Sequence, residues 1–141
     1  GKFRELGIAG DRIDLIGRRS HADLLADYGK IDLVLDPFPW TGSIVTCEAM
    51  WMGVPTITLY GDSIVSRYSM TYQKVAGLDG FSAENIEDYV TLAVQWSNRA
   101  EDLALLRGRL RAQVAGSPLC DGPGFARNLE NLFEMMTADR G

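Results

Sequence analysis

Residues 33–60 read L-V-L-D-P-F-P-W-T-G-S-I-V-T-C-E-A-M-W-M-G-V-P-T-I-T-L-Y, and no other stretch restricts the fold as tightly. A short apolar run leads into a Pro/Gly loop, then a helical segment that is apolar nearly all round, then a second β-rich run. That order is a strand–loop–helix–strand unit of a parallel sheet. In such sheets the loop and the helix N-terminus stand beyond the carboxyl ends of the strands, where ligands bind. Glu48 is the one carboxylate inside the apolar helix. An unpaired charge there is costly, so Glu48 requires a partner, and a ligand hydroxyl is one candidate.

The flanks extend the pattern. Residues 2–6 read as the end of a helix stopped at Gly7 or Gly10, and residues 12–16 as a short strand closed by Gly17. Ser20 is placed to cap a helix running to about Tyr28, with Leu24 and Leu25 turned inward and Gly29 at its end. Residues 31–35 form a strand covered on both faces. After the strand at 56–60, Gly61-Asp62-Ser63 makes a turn and residues 64–75 form a helix ended by Gly77. Alternation of this kind predicts an α/β fold of βαβ units with right-handed crossovers.

From Ser82 onward the reading is helical. Ser82 caps a helix whose apolar face carries Ile86, Tyr89, Val90, Ala93 and Val94. Asn98 opens another, with Glu101 completing a capping box and Leu103, Leu106, Leu110 and Val114 on one face. Gly116-Ser117-Pro118 stops it. A last amphipathic helix bears Phe125, Leu129, Leu132, Phe133 and Met136, packed back across the fold or against an absent neighbour. The chain thus divides into a sheet-forming portion, residues 1–81, and a helical part of the same lobe, residues 82–141. There are no internal repeats.

A chain of 141 residues suits one domain with a substantial core. Its formal net charge of -5 argues against a general nucleic-acid surface, although Arg18-Arg19 and Arg107-Gly108-Arg109-Leu110-Arg111 are locally basic. The second run reads as the solvated face of a helix. Two cysteines, Cys47 and Cys120, make neither a disulfide framework nor a metal site, which points to a reducing compartment, the cytoplasm. No apolar run approaches the roughly 20 residues of a membrane span. The opening Gly-Lys-Phe-Arg-Glu-Leu lacks the features of a signal peptide.

The loop Pro37-Phe38-Pro39-Trp40-Thr41-Gly42-Ser43 is stiffened by its prolines, and Gly42 permits close backbone approach. With Ser43 opening the helix, the N–H groups of Ile44, Val45 and Thr46 form an anion site, and the Ser43 and Thr46 hydroxyls add donors. The alternative is that Ser43 only caps the helix, a contribution of about 1 kcal/mol. One turn deeper, Glu48 is placed to accept hydrogen bonds from adjacent ribose hydroxyls, or else to pair with Arg67 or Arg18. Phosphate on the helix end and diol on the carboxylate together spell a nucleotide. Arg67 follows the next strand and returns to the same sheet edge, either to neutralise a diphosphate leaving group or as a plain surface arginine. Ser66 beside it joins the nucleotide-binding candidates.

His21 is the sole histidine, either a first-turn surface residue or a ligand contact. It has no second histidine for a relay, and neither a metal cluster nor a Ser-His-Asp set is evident. Trp40 either stacks on a base or wedges the loop. Trp51, Met50 and Met52 read as core.

Residues Leu35 to Gly42, then Thr46-Cys47-Glu48-Ala49-Met50-Trp51-Met52-Gly53-Val54-Pro55, resemble the C-terminal catalytic lobe of O-linked N-acetylglucosamine transferase and its bacterial relatives, which often carry tetratricopeptide repeats. Gly61 to Arg67, Glu87-Asp88-Tyr89, Leu106-Arg107, Ser117 to Asp121 and the last helix extend the resemblance over nearly the whole chain. It implies part of a Rossmann-like GT-B lobe, a three-layer parallel sheet followed by C-terminal helices. It also implies an inverting transfer of a sugar, N-acetylglucosamine or a hexose, from a UDP-sugar to a protein or peptide acceptor, with no metal and no further cofactor. By the family pattern the diphosphate falls on Ser43 to Thr46, the ribose on Glu48, and the family's arginine on Arg67.

The sequence departs from that pattern at several points. Thr41 stands where the family has asparagine, and Ile44 and Val45 replace two threonines, keeping backbone donors but losing hydroxyls. Leu24 occupies the place of a nucleotide-facing histidine. The resemblance further implies an N-terminal catalytic lobe, with acceptor-side groups and tetratricopeptide repeats, outside this chain. Without that lobe the chain alone is not expected to turn over. Two other readings stay open: a catalytically lost module that binds a peptide or partner helix, and a nucleotide-sugar epimerase.

Overall fold

The computed structural model describes residues 1–138. Its sheet has three parallel strands in the order β1-β2-β3, where β1 is Val34–Leu35, β2 is Thr56–Leu59 and β3 is Ser82–Ala83. Val34 and Leu35 lie opposite Thr56 and Ile57, and Thr58 and Leu59 lie opposite Ser82 and Ala83. Helix α1 (Lys2–Glu5) and a 3₁₀ turn at Gly10–Arg12 precede α2 (His21–Asp27), which continues as a 3₁₀ turn through Lys30. Helix α3 (Ser43–Trp51) joins β1 to β2, and α4 (Tyr68–Val75) joins β2 to β3. Helices α5 (Ile86–Ser97), α6 (Ala100–Ala115) and α7 (Gly122–Ala138) follow.

β2 is central in the sheet and all four of its residues are buried, as a strand with a neighbour on each side and helices over it requires. α3 and α4 pack on each other and on β2, α6 packs on α3, and α5 packs on β2 and β3. The main core joins Met50, Ile57, Leu78 and Phe81 to Leu106, Leu110 and Val114. Sheet and following helices therefore share one interior. The predicted apolar face of α6 is buried throughout. Its basic run is solvated as expected at Arg109 and at Arg111, whose guanidinium lies 4.8 Å over the Trp51 ring, while Arg107 is partly covered and pairs with Asp32.

Several expected boundaries move. Residues 12–16 do not form a strand: Ile13 has extended dihedrals, but Leu15 and Ile16 are exposed and no strand pairs with them. A strand without a ladder leaves its backbone to water. β1 is shorter than residues 31–35, and Leu35 is 55% exposed rather than covered. Leu24 is likewise exposed, while Leu25 packs inward beside Tyr28. The helix expected over 64–75 is a 3₁₀ turn, Ile64–Ser66, followed by α4 after Arg67.

The chain is not purely helical from Ser82. Ser82 enters β3, its hydroxyl donating to Gln73 Oε1 at 2.8 Å, and Asn85 caps α5 instead by accepting from the Asp88 N–H at 2.9 Å. Asn98 closes α5 rather than opening α6, so the predicted capping box does not form. Ser20 caps α2 as expected, accepting from the Asp23 N–H at 3.2 Å. The last helix has no buried residue, and Phe125, Leu132 and Phe133 are exposed.

Gly53 ends α3 with φ +81°, a region that side chains enter at a cost of about 1–2 kcal/mol. A Cβ there would also stand 3.0 Å from the Arg107 carbonyl oxygen in α6. Gly53→Ala is therefore expected to destabilise the chain by about 2 kcal/mol. Denaturant unfolding measures this, and an unchanged midpoint would contradict it.

Candidate nucleotide-binding site

The loop between β1 and α3 is held by buried polar side chains. Asp36 is buried; its Oδ1 accepts the Gly42 N–H at 2.8 Å and its Oδ2 accepts the Thr58 hydroxyl at 2.7 Å. The Tyr89 hydroxyl donates to the Asp36 carbonyl at 3.0 Å, and burial, with Asp36 nearby, pushes the Tyr89 phenol pKa up so that it remains a donor. Thr41 is also buried, with its N–H (3.3 Å) and hydroxyl (2.8 Å) both donating to the Val65 carbonyl. That contact joins the loop after β1 to the loop after β2. Both loops follow the carboxyl ends of parallel strands, the side on which such sheets bind ligands.

Gly42, not Ser43, is the N-cap of α3, and Ser43 is the first helical residue with no capping bond from its side chain. The open amides accordingly shift by one position. Thr46 N–H already donates to the Gly42 carbonyl at 3.2 Å, whereas the N–H groups of Ser43, Ile44 and Val45 have no hydrogen-bond partner among the described residues. A cleft of about 380 Å³ opens here, lined in part by Pro37, Trp40, Thr41, Gly42, Ser43 and Val45.

Thr46 departs from its expected role as a hydroxyl donor to phosphate. It is 2% exposed, and its hydroxyl contacts the Gly42 carbonyl and lies 2.7 Å from Ser69 Oγ. Ser66, named as a nucleotide-binding candidate, is buried, and its hydroxyl donates to the Ser63 carbonyl at 2.8 Å. Gly42 does allow a close approach, but of the protein itself, since a Cβ would lie 3.1 Å from both Asp36 Oδ1 and Thr46 Oγ1. Trp40, Ile44 and Val45 are exposed around the helix tip.

Glu48 lies three and four residues beyond Val45 and Ile44, hence on the same face of α3. Its side chain is 20% exposed, and Oε1 is 2.8 Å from His21 Nε2. The expected protein partners, Arg67 and Arg18, do not contact it. Tyr28 packs beneath, its hydroxyl donating to the Val45 carbonyl at 3.3 Å. Its pKa is pushed up first by burial and then by the Glu48 charge. Burial, and then Cys120 and Glu48, raise the pKa of the neighbouring Cys47 thiol. Both cysteines are free.

Arg67 is half-exposed on the loop after β2, with Nε donating to the Gly61 carbonyl at 2.6 Å and Nη2 3.5 Å from Asp62 Oδ1. Its guanidinium therefore has donors left over for a ligand. Sequence reasoning missed the structural part of Asp36 and the contact of His21 with Glu48. The adjacency of Asp36 to the Pro/Gly loop was visible as a signal; the other pairing, across 27 residues, was not.

Strand order, the loop-to-helix tip and the trailing helices define part of a Rossmann-like lobe of the GT-B type. A mutant O-GlcNAc transferase of Thermobaculum terrenum has a similar solved structure, with a TM-score of 0.85 and 33% identity, over 96% of this chain and 26% of that one. The sequence model of glycosyl transferase family 41 matches residues 5–129, and this chain belongs to that family. Among curated relatives, the probable UDP-N-acetylglucosamine–peptide N-acetylglucosaminyltransferases SPINDLY of Petunia hybrida and Solanum lycopersicum are 37% and 35% identical over 135 residues. Those alignments cover 95% of this chain and 14% of each relative, so the chain spans about a seventh of their length.

Proposed function

We propose that the tip of α3 binds the UDP part of a UDP-sugar, in a protein that transfers N-acetylglucosamine or a hexose to a protein or peptide acceptor. The observation that carries this reading is one helix offering two complementary features. Three unpartnered amides stand at its positive end, and a carboxylate lies on the same face one turn further on. The Ser43, Ile44 and Val45 amides take the diphosphate, Gly42 sets their spacing, Glu48 takes the ribose, and Trp40 offers a stacking surface for the base. Loss of threonine hydroxyls at Ile44 and Val45 leaves these backbone donors intact.

Residues 1–81 are read as the nucleotide-sugar-binding portion and 82–141 as its helical support. An acceptor-bearing lobe outside this chain is part of the proposal, as is a cytoplasmic location. No helix of the described residues is long and apolar enough to cross a membrane. Isothermal calorimetry of the intact protein with UDP tests the site: a saturable heat supports it.

The exposure of Ile44 and Val45 at the helix tip favours a second reading, a module that has lost transfer and holds a peptide or partner helix. Absence of heat and of competition at millimolar UDP would favour that module.

Arg67 is assigned to stabilising the departing diphosphate. Arg67→Ala is expected to lower kcat of the intact protein about tenfold while changing UDP affinity by less than about threefold, since a half-exposed guanidinium is screened by water. Steady-state rates and calorimetry together measure this; weakened binding with an unchanged rate would remove Arg67 from the chemistry.

A further inference from the structure

The two oxygens of the Glu48 carboxylate are used differently. Oε1 lies 2.8 Å from His21 Nε2, and Oε2 has no protein partner among the described residues. A carboxylate accepts, so Nε2 carries the proton that the two share. His21 is the first residue of α2, whose N-terminus is fixed by the Ser20 cap. The imidazole is 67% exposed and contributes little to the interior, while the glutamate it touches is largely covered. A glutamate on a helix face otherwise samples several rotamers, and ordering it on binding would cost affinity. The His21 contact selects one rotamer before a ligand arrives.

We propose that His21 is a positioning residue for ribose recognition: it holds Glu48 through Oε1, leaving Oε2 to accept a hydrogen bond from a ligand's ribose hydroxyl. This rests on the reading of Glu48 as the ribose acceptor and names the group that orients it. His21 acts through the carboxylate, so its effect depends on Glu48 being present and on the ligand carrying its hydroxyl.

The test is calorimetry of the intact protein with UDP and with 2′-deoxy-UDP, using wild type, His21→Ala, His21→Gln, Glu48→Ala and the His21→Ala/Glu48→Ala double variant. Wild type is expected to prefer UDP by about tenfold, as a charge-assisted bond implies. His21→Ala should weaken UDP about fivefold and shrink that preference, because one immobilised side chain is set free. His21→Gln, whose amide N–H donates as Nε2 does, should return to within about twofold of wild type. In the Glu48→Ala background, His21→Ala should cause no further loss. The proposal is overturned by a His21→Ala protein with wild-type affinity and preference, or by losses that simply add in the double variant. If Glu48→Ala itself leaves both ligands unchanged, the ribose assignment beneath the proposal fails instead.

Discussion

Asp36→Ala is expected to lower stability by about 3–5 kcal/mol, and to lower the melting temperature by roughly 10 °C for a chain of this size. Asp36 is buried and accepts from the Gly42 N–H and the Thr58 hydroxyl, one in the loop and one in β2. Hydrogen bonds to a charged acceptor contribute about 1.5–3 kcal/mol each, and truncation would leave a partly buried amide and a buried hydroxyl without partners. Asp36→Asn should retain most of the stability. Its carbonyl can still accept from Gly42, and the Thr58 hydroxyl can turn to accept from the new amide. Since Gly42 is the N-cap of α3, the alanine variant should also weaken UDP at temperatures where it stays folded. Thermal and denaturant unfolding of the three proteins decide the matter; an alanine variant as stable as wild type would mean that the clamp contributes nothing.

Glu48→Ala carries the second large effect, a loss of UDP affinity of about tenfold to a hundredfold. The figure follows from one or two charge-assisted bonds to the ribose, each about 1.5–3 kcal/mol, less what water recovers at a partly open site. Glu48→Asp should keep part of the affinity, because the carboxylate survives but stands one methylene short. Stability should change little, since the hydrogen-bond partner of Glu48 among the described residues is an exposed histidine. Calorimetric Kd values for the three proteins separate the cases. Equal affinities would end the ribose assignment while leaving the amides at the helix tip untouched by the result.

Much of this architecture is legible along the chain because the decisive signals are local. The Pro/Gly loop between apolar runs, Gly77 at a helix end, and the Leu103, Leu106, Leu110 and Val114 spacing each act within a few residues. What escaped depends on partners far away in sequence. Ser82–Ala83 becomes a strand because β2 lies beside it, and a two-residue strand has no period to read. Residues 12–16 have the composition of a strand but no ladder to join. Thr46 and Ser66 look like ligand donors on a sequence, yet their hydroxyls turn to Gly42, Ser69 and Ser63. The candidate site divides likewise. Its position and its acid follow from the motif, whereas the one-residue shift of open amides, the Asp36 clamp and the His21 contact required three dimensions.

The double use of the Val65 carbonyl by Thr41 bears on how ligands arrive. If the tip of α3 takes a diphosphate as proposed, the two rims of the mouth are already tied before anything enters, and little conformational freedom remains to be surrendered on capture. On the proposed reading, Thr41 serves recognition as a hidden rivet, keeping two walls in step without reaching the guest.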